Sequence, residues 1–309
     1  MNKIPVWFDT DIGVDDSIAF LVLNKQTGLE LKGISAVAGN VELDYTYPNA
    51  RNICRLADCF YPVYKGADKP LFEKLQTAHD IHGEEGLGRG KLPLSDAPET
   101  DIPAWDAIYN AAVAANGELR IIAVGPLTNI AITISKYPQI RGLVKQILVM
   151  GGAAQGGNVT PAAEFNIYAD PHAAQVVFKS GIPVVMCGLD VTMEAYMTPE
   201  EVYELGAVDS PVCRFFRDST IDVLNFYERG SLPGLCLHDV CPVLYLAHPE
   251  LFSGQEAGVY VETRGTITRG KTVTDLMSDK KFPEKNAFVV LGVDRDKFSA
   301  MVSEVLRSY

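Results

Sequence analysis

The chain has 309 residues, 47% of them hydrophobic and 21% charged, enough for a large buried core and near the upper size of one domain. Its formal net charge of −12 supplies no basic field for a nucleic-acid backbone or an anionic membrane surface, so neither is expected as a partner. No uninterrupted apolar run is long enough to span a bilayer, and no N-terminal signal pattern is present, so a cytoplasmic protein is expected.

Residues 4–8 read as a short buried strand, Ile12-Gly13-Val14 as a tight turn, and 17–26 as an apolar helix stopped by Gly28. An apolar run over 31–38 ends in Gly39-Asn40, and 47–59 has helical spacing. The segment 79–90 (HDIHGEEGLGRG) is glycine-rich and charged, which reads as a mobile loop. Strands are expected at 120–124, 146–150 and 183–187, with a helix at 127–136. Asp170-Pro171 opens a further helix with an N-cap and a proline at its first position, and Gly181 closes it. Helical patterns cover 211–227 and 240–247, residues 259–274 alternate like a β-hairpin, and 287–293 is a last strand before an amphipathic helix starting near Asp294. This rhythm indicates βα units. The expected architecture is one α/β domain over residues 1–309, Rossmann-like, with a mostly parallel central sheet flanked by helices and a small β-hairpin insertion near the C-terminus.

Six cysteines (Cys54, Cys59, Cys187, Cys213, Cys236 and Cys241) lack any CxxC spacing, and most fall in apolar stretches. They read as core residues, against a disulfide framework or a zinc site.

Asp9, Asp11, Asp15 and Asp16 crowd into eight residues at the C-terminal end of the first strand. In open α/β sheets that edge is where ligands bind, and Asp9 and Asp11, two apart, would share a face of the strand. A single aspartate at a helix start is ordinarily a cap. Four so close repel one another unless a hard cation or raised pKa values keep them together, which points to a cation site. Polar groups also follow later strands: Asn40, GPLTN (125–129), GGNVTPAAEFN (156–166) and Leu237-His238-Asp239. Each alone reads equally as a turn, a loop surface or a helix cap; their order suits one pocket at one sheet edge.

Together DTDIGVDD, GPLTN, NVTPAAEFN, IHGEEGLG and the late His-Asp pair resemble the nucleoside hydrolase family, the calcium-dependent N-ribohydrolases. The resemblance runs the length of the chain, with Thr10 and Ile12 where many members have other small residues and proline. It implies Ca²⁺ held by Asp11, Asp16, Asp239 and the backbone carbonyl of Val124, a ligand set that leaves room for water and sugar hydroxyls. It implies ribose contacts from Asp15, Asn158, Glu164 and Asn166, with Asn40 near the attacking water. A nucleoside substrate and a homodimer or homotetramer are implied as well.

Cleaving an N-glycosidic bond builds positive charge on the sugar and negative charge on the base, so anionic groups must surround the sugar and a proton donor must face the base. The resemblance makes Asp11 the base toward a Ca²⁺-held water and His238 the acid, with His82 as a second candidate acid. Phe226, Tyr227 and Trp105 are aromatic residues that could stack on a base, although each reads more readily as core or surface. Two competing readings are a haloacid-dehalogenase-like phosphatase with Asp9 as nucleophile, for which no later lysine and acidic pair is evident, and a non-catalytic nucleoside- or ribose-binding protein of the same fold.

Overall fold

The opening apolar run folds as strand β1 (Ile4–Thr10), and its side chains divide between two cores: Val6 and Phe8 enter one, Trp7 the other. A strand buried on both faces needs no polar alternation, which is why this segment is continuously apolar. The computed structural model describes residues 3–230, 232–277, 281–282 and 284–309. After β1 come α1 (Val14–Asn24), β2 (Leu29–Ala36), α2 (Leu43–Leu56), β3 (Val63–Lys65), α3 (His79–His82), α4 (Ala104–Ala114), β4 (Leu119–Ala123), α5 (Thr128–Lys136) and β5 (Val144–Met150). Then follow α6 (Phe165–Ala169), α7 (Pro171–Phe178), β6 (Val184–Cys187), α8 (Leu189–Thr192), β7 (Tyr196–Met197), α9 (Pro199–Gly206), α10 (Pro211–Arg229), β8 (Leu235–Cys236) and α11 (Val240–Ala247). The chain closes with β9 (Phe252–Val261), β10 (Thr272–Asp275), β11 (Ala287–Val293) and α12 (Arg295–Arg307).

Nine strands form one sheet in the order β10-β9-β11-β6-β5-β4-β1-β2-β3, and every pairing from β11 to β3 is parallel. The expected mostly parallel sheet is therefore present. Helices cover both faces: α1, α2, α10, α11 and α12 pack on the side of Phe8, while α4, α5 and α7 pack on the side of Trp7. The hairpin expected near the C-terminus is β9 and β10, with Thr272 opposite Val261. It extends the main sheet, because β9 also pairs antiparallel with β11. A separate two-stranded sheet joins β7 to β8. Among the described residues, no helix is long and apolar enough to cross a membrane.

Two helix starts differ from the spacing-based expectation. Helix α1 begins at Val14, because Gly13 is its N-cap and the Asp16 carboxylate, three residues on, accepts the Gly13 N–H at 2.9 Å. Helix α2 begins at Leu43 and runs through Pro48, which removes one backbone donor but leaves the helix continuous. A proline so near the start reads from sequence as a boundary.

Asp170 joins three segments on the second face. It caps α7 through Ala173 N at 3.0 Å and accepts from Leu71 N and Thr128 Oγ1, each at 2.8 Å, with no solvent exposure. Asp170→Ala leaves one buried and one part-buried backbone N–H and a buried hydroxyl without partners, and should destabilise the chain by about 3 kcal/mol in urea unfolding. A loss below about 0.5 kcal/mol would show that these bonds are dispensable.

Candidate active site

In the order β3-β2-β1-β4-β5-β6 the chain turns back at the boundary between β1 and β4, and a ligand crevice is expected beyond the carboxyl ends of those two strands. A cavity of about 410 Å³ opens there, lined by Asp15, Asn40, His82, Val124, Asn158, Glu164, Asn166, Tyr227, His238 and Asp239, among others. Asp11 and Asp16 are buried behind its wall, each accepting a hydrogen bond from the lining residue Asn40. Nearly every residue expected for the site is thus brought to one place by segments far apart in sequence.

The carboxylates are held by backbone. Asp16 accepts from Thr10 Oγ1 at 2.6 Å, Gly13 N at 2.9 Å and Asn40 Nδ2 at 2.9 Å. Asp11 Oδ2 accepts from Asn40 N at 2.7 Å, whereas Asp11 Oδ1 is buried with no hydrogen-bond partner. Three glycines let the backbone come this close. A Cβ on Gly39 would lie 2.1 Å from Asp11 Oδ2, one on Gly125 2.6 Å from Asp11 Oδ1, and one on Gly13 2.6 Å from Asn40 Nδ2. Asp239 precedes α11 but makes no side-chain cap, so its carboxylate is left for the cluster. One oxygen from each of Asp15, Asp16 and Asp239 lies within 4.8 Å of the others.

Burial, and then the neighbouring Asp16, hold Asp11 well above the usual carboxylate range. Burial raises Asp239 likewise, with Asp15, Asp16 and Asp11 adding to it, and Asp15 is pushed up to about 7 by burial and by Asp16. No lysine or arginine is among the described residues that line the cavity. A divalent cation with a preference for oxygen fits this donor set: clustered carboxylates, one unpartnered buried oxygen, and the Val124 carbonyl at the end of β4. That carbonyl accepts Asn166 Nδ2 at 2.9 Å and keeps a second lone pair free.

The loop after β5 carries the residues expected to meet a sugar. Glu164 caps α6 and accepts from Gly152 N, Asn166 N and Ile167 N at 2.8, 2.9 and 3.2 Å, while burial pushes it up to about 7. Asn158 Oδ1 accepts from Phe165 N at 2.9 Å, leaving its amide N–H groups available. Asn166 donates to Val124 and Met150 carbonyls, leaving its own oxygen available.

The opposite wall holds His82, His238 and Tyr227. His238 Nδ1 is 2.7 Å from Thr192 Oγ1, and its Nε2 is 3.0 Å from Tyr227 Oη. His82 Nδ1 accepts from Val14 N at 3.2 Å, which places the proton of the neutral ring on Nε2. Burial pulls both histidines down to about 4, and it raises the Tyr227 hydroxyl. All three are therefore neutral at pH 7.

Some expectations fail. Asp9 does not join the cluster: its Oδ1 accepts from Ser35 and Asn129, whereas Asp11 and Asp16 both accept from Asn40 on the cavity wall. β1 ends at Thr10, so the strand alternation that placed Asp9 and Asp11 on one face does not extend to Asp11. These partners tie Asp9 into the fold and not to the cavity wall, against a phosphatase nucleophile there. Asn129 is also structural, donating to Asp9 and to Ala36 O and accepting from Ala67 N. Trp105 lies on α4, away from the cavity, whereas Phe226 and Tyr227 do reach it. The segment 79–90, expected as a mobile loop, is docked on α10, where Arg89 pairs with both oxygens of Asp222 and Gly88 fits against Ser219 O. Thr192 was missed: it carries no motif, and it meets His238 only through the fold.

The sequence profile described as "Inosine-uridine preferring nucleoside hydrolase" matches residues 6–300. The chain is 37% identical over 305 residues to the non-specific ribonucleoside hydrolase RihC of Escherichia coli strain SMS-3-5, covering 98% of each. It superposes on a plant nucleoside hydrolase with a TM-score of 0.92 at 29% identity, covering 99% of each chain. It also superposes on a purine-preferring ribonucleoside hydrolase of Gardnerella vaginalis with a TM-score of 0.91 at 31% identity, covering 99% of this chain and 100% of that one.

Asp9, Asp15 and Glu164 each bind a proton up to about pH 7 in the folded chain, well above their ordinary range near 4. Between those limits these carboxyls, with Asp11 and Asp239, bind more protons in the folded chain and outnumber the two lowered histidines, which bind fewer, so stability is full at low pH and declines as pH rises through 7. The metal-stripped chain should therefore show a falling Tm from pH 5 to pH 8. Added Ca²⁺ should raise Tm more at pH 8 than at pH 5. A Tm that rises with pH in the stripped chain would contradict the assignment.

Proposed function

The chain belongs to the inosine-uridine preferring nucleoside hydrolase family and hydrolyses the N-glycosidic bond of ribonucleosides to free base and ribose, and from that premise we propose how its residues divide the reaction. The observation that carries the proposal is the cluster of Asp15, Asp16 and Asp239, whose oxygens lie within 4.8 Å of one another, with the buried, unpartnered Oδ1 of Asp11 behind it. We assign calcium to the cluster, held by Asp11, Asp16, Asp239 and the Val124 carbonyl, with Asp15 facing the sugar. When bound, the ion supplies a Lewis acid that lowers the pKa of water and takes up sugar hydroxyls.

Asp11 acts as general base and removes a proton from the attacking water. Asn40 orients it, donating its backbone N–H to Asp11 and its amide to Asp16. Asp15, Asn158, Glu164 and Asn166 receive the ribose hydroxyls; they combine donors and acceptors, as hydroxyls require. The carboxylates stabilise the positive charge that grows on the sugar ring as the bond breaks. On the base side, His238 and Tyr227 form one hydrogen-bonded unit. With Nδ1–H directed to Thr192, neutral His238 accepts from Tyr227 at Nε2; once it has taken up a solvent proton there, it passes that proton to the Tyr227 oxygen as the Tyr227 hydroxyl gives its own to the departing base, and returns to the neutral imidazole. His82 is the alternative donor through Nε2–H.

We extend the reading to one domain spanning residues 1–309, a cytoplasmic setting suited to free thiols, and a homodimer or homotetramer whose contacts would cover exposed Phe72 and Leu94. Light scattering of the purified chain checks the assembly.

Activity on a panel of purine, pyrimidine and modified nucleosides, followed by release of base, should vanish after chelation and return with Ca²⁺. Full activity in metal-free protein would overturn the assignment. Asp11→Asn should retain the fold and most substrate affinity while lowering kcat by about 10²–10⁴, whereas Asp9→Asn should be milder. Equal losses would move the base away from Asp11. A nitrophenyl riboside leaves without a proton donor, so His238→Ala and Tyr227→Phe should slow nucleoside turnover by about 10²–10⁴ yet leave this substrate near wild type. Equal losses on both substrates would reduce His238 to a support for Asp239, and no loss on either would transfer the acid role to His82.

A further inference from the structure

Outside the active site, a second cavity of about 440 Å³ lies where α2 ends against the segment 95–100, and Arg51, Cys54, Arg55, Cys59 and Tyr61 are among its lining residues. Two thiols meet there for a reason built into the backbone. Helix α2 stops because Asp58 turns into the left-handed region at φ 48°, and two hydrogen bonds close the end: Cys59 N to Cys54 O at 3.0 Å and Asp58 N to Arg55 O at 3.3 Å. This pair of bonds is the Schellman arrangement, which habitually brings the side chains at its two outer positions into contact. Those positions are usually apolar. Here they are Cys54 and Cys59.

We propose that Cys54 and Cys59 form a dithiol modification site that a peroxide converts to an intramolecular disulfide. Cys54 is buried and Cys59 half-buried at the cavity wall, so the pair offers one accessible sulfur and one shielded sulfur. Cys187, Cys213 and Cys241 are buried and line neither cavity, while Cys236 is a lone buried thiol on the active-site wall with no second cysteine beside it in that lining. The Cys54 S–H donates to Ala50 O at 3.3 Å and the Cys59 S–H to Cys54 O at 3.5 Å, and each thiol acts on the other, lowering Cys59 against the opposing effect of burial and of Asp58 and raising Cys54. The exposed thiol is then the nucleophile and the buried one the resolving group.

The chemistry balances. The Cys59 thiolate attacks one peroxide oxygen, breaking the O–O bond; its sulfur becomes a sulfenic acid and the other oxygen leaves as hydroxide. The Cys54 sulfur then displaces the sulfenic hydroxyl as water, its own thiol proton leaving with it. Two thiols and one hydrogen peroxide yield one disulfide and two waters. The site is independent of the hydrolytic reaction and uses none of its residues.

The test treats the native full-length chain with a few equivalents of hydrogen peroxide, alkylates the remaining thiols, and reads the digest by mass spectrometry. The expected result is the loss of two alkylatable thiols, with Cys54 and Cys59 in one peptide lighter by two hydrogens, reversed by dithiothreitol. Cys54→Ser should stop Cys59 at a sulfenic acid captured by a cyclic diketone probe, with one thiol lost. Cys59→Ser, a change at a half-buried residue, should leave Cys54 alkylatable. Oxidation of Cys59 to a sulfinic acid while Cys54 stays free in wild type would overturn the proposal. So would a pair inert at peroxide levels that oxidise free glutathione, or prior reaction at the four buried cysteines.

Discussion

Carboxylates cannot be packed together away from water unless something positive faces them, and most of this molecule's local geometry answers to that constraint. Asp11, Asp16 and Asp239 are almost wholly buried and Asp15 stands beside them, yet no lysine or arginine reaches them among the described residues lining the cavity. What the chain does supply is partial. Gly13 and Asn40 present backbone N–H groups, and α1 and α11 both begin at the cluster, with the positive ends of their dipoles toward it. Glycines at 13, 39 and 125 admit the backbone where any side chain would strike Asp11, Asn40 or His82. These contacts orient the carboxylates without neutralising them. The remaining charge is what makes the site one for a cation.

The other half of the cavity is built on a loop clamped from behind. Lys271 Nζ donates to the carbonyls of Ala153, Ala154 and Gly156 at 2.9, 3.1 and 3.3 Å, while Asp190 accepts from Ala154 N and Gln155 N at 2.6 and 3.0 Å. Thr272 on β10 both accepts from Ala153 N and donates to Ala153 O at 2.8 Å. The antiparallel edge of the sheet therefore reaches into the active centre. It fixes the segment that leads to Asn158 and Glu164, which explains why an edge hairpin sits beside an otherwise parallel sheet.

How much of this was legible depends on sequence distance. The βα rhythm and the apolar strands predict a parallel sheet, and β11 and α11 fall where the spacing places them. Strand order is another matter, since apolar alternation carries no information about which strands pair, and β9 between β10 and β11 has no local signature. The aspartate cluster announces itself because like charges within eight residues are improbable without a purpose. The same cluster misleads about Asp9, which stays within β1 and meets Ser35 and Asn129, while β1 ends at Thr10 and releases Asp11 from the alternation. Asp239, Asn158 and Glu164 stand out only through the resemblance of whole motifs, because singly each is an ordinary cap or loop residue. The contact of His238 with Thr192 spans 46 positions and leaves no trace in spacing.

The central claim is that one oxygen-seeking divalent cation completes the carboxylate cluster. A crystal structure of the chain grown with calcium, with anomalous scattering used to locate the ion, tests it most directly. The account predicts a single peak about 2.3–2.6 Å from oxygens of Asp11, Asp16, Asp239 and the Val124 carbonyl. A cluster empty at saturating calcium, or an ion held by Asp15 with Asp11 Oδ1 still unpartnered, would contradict it.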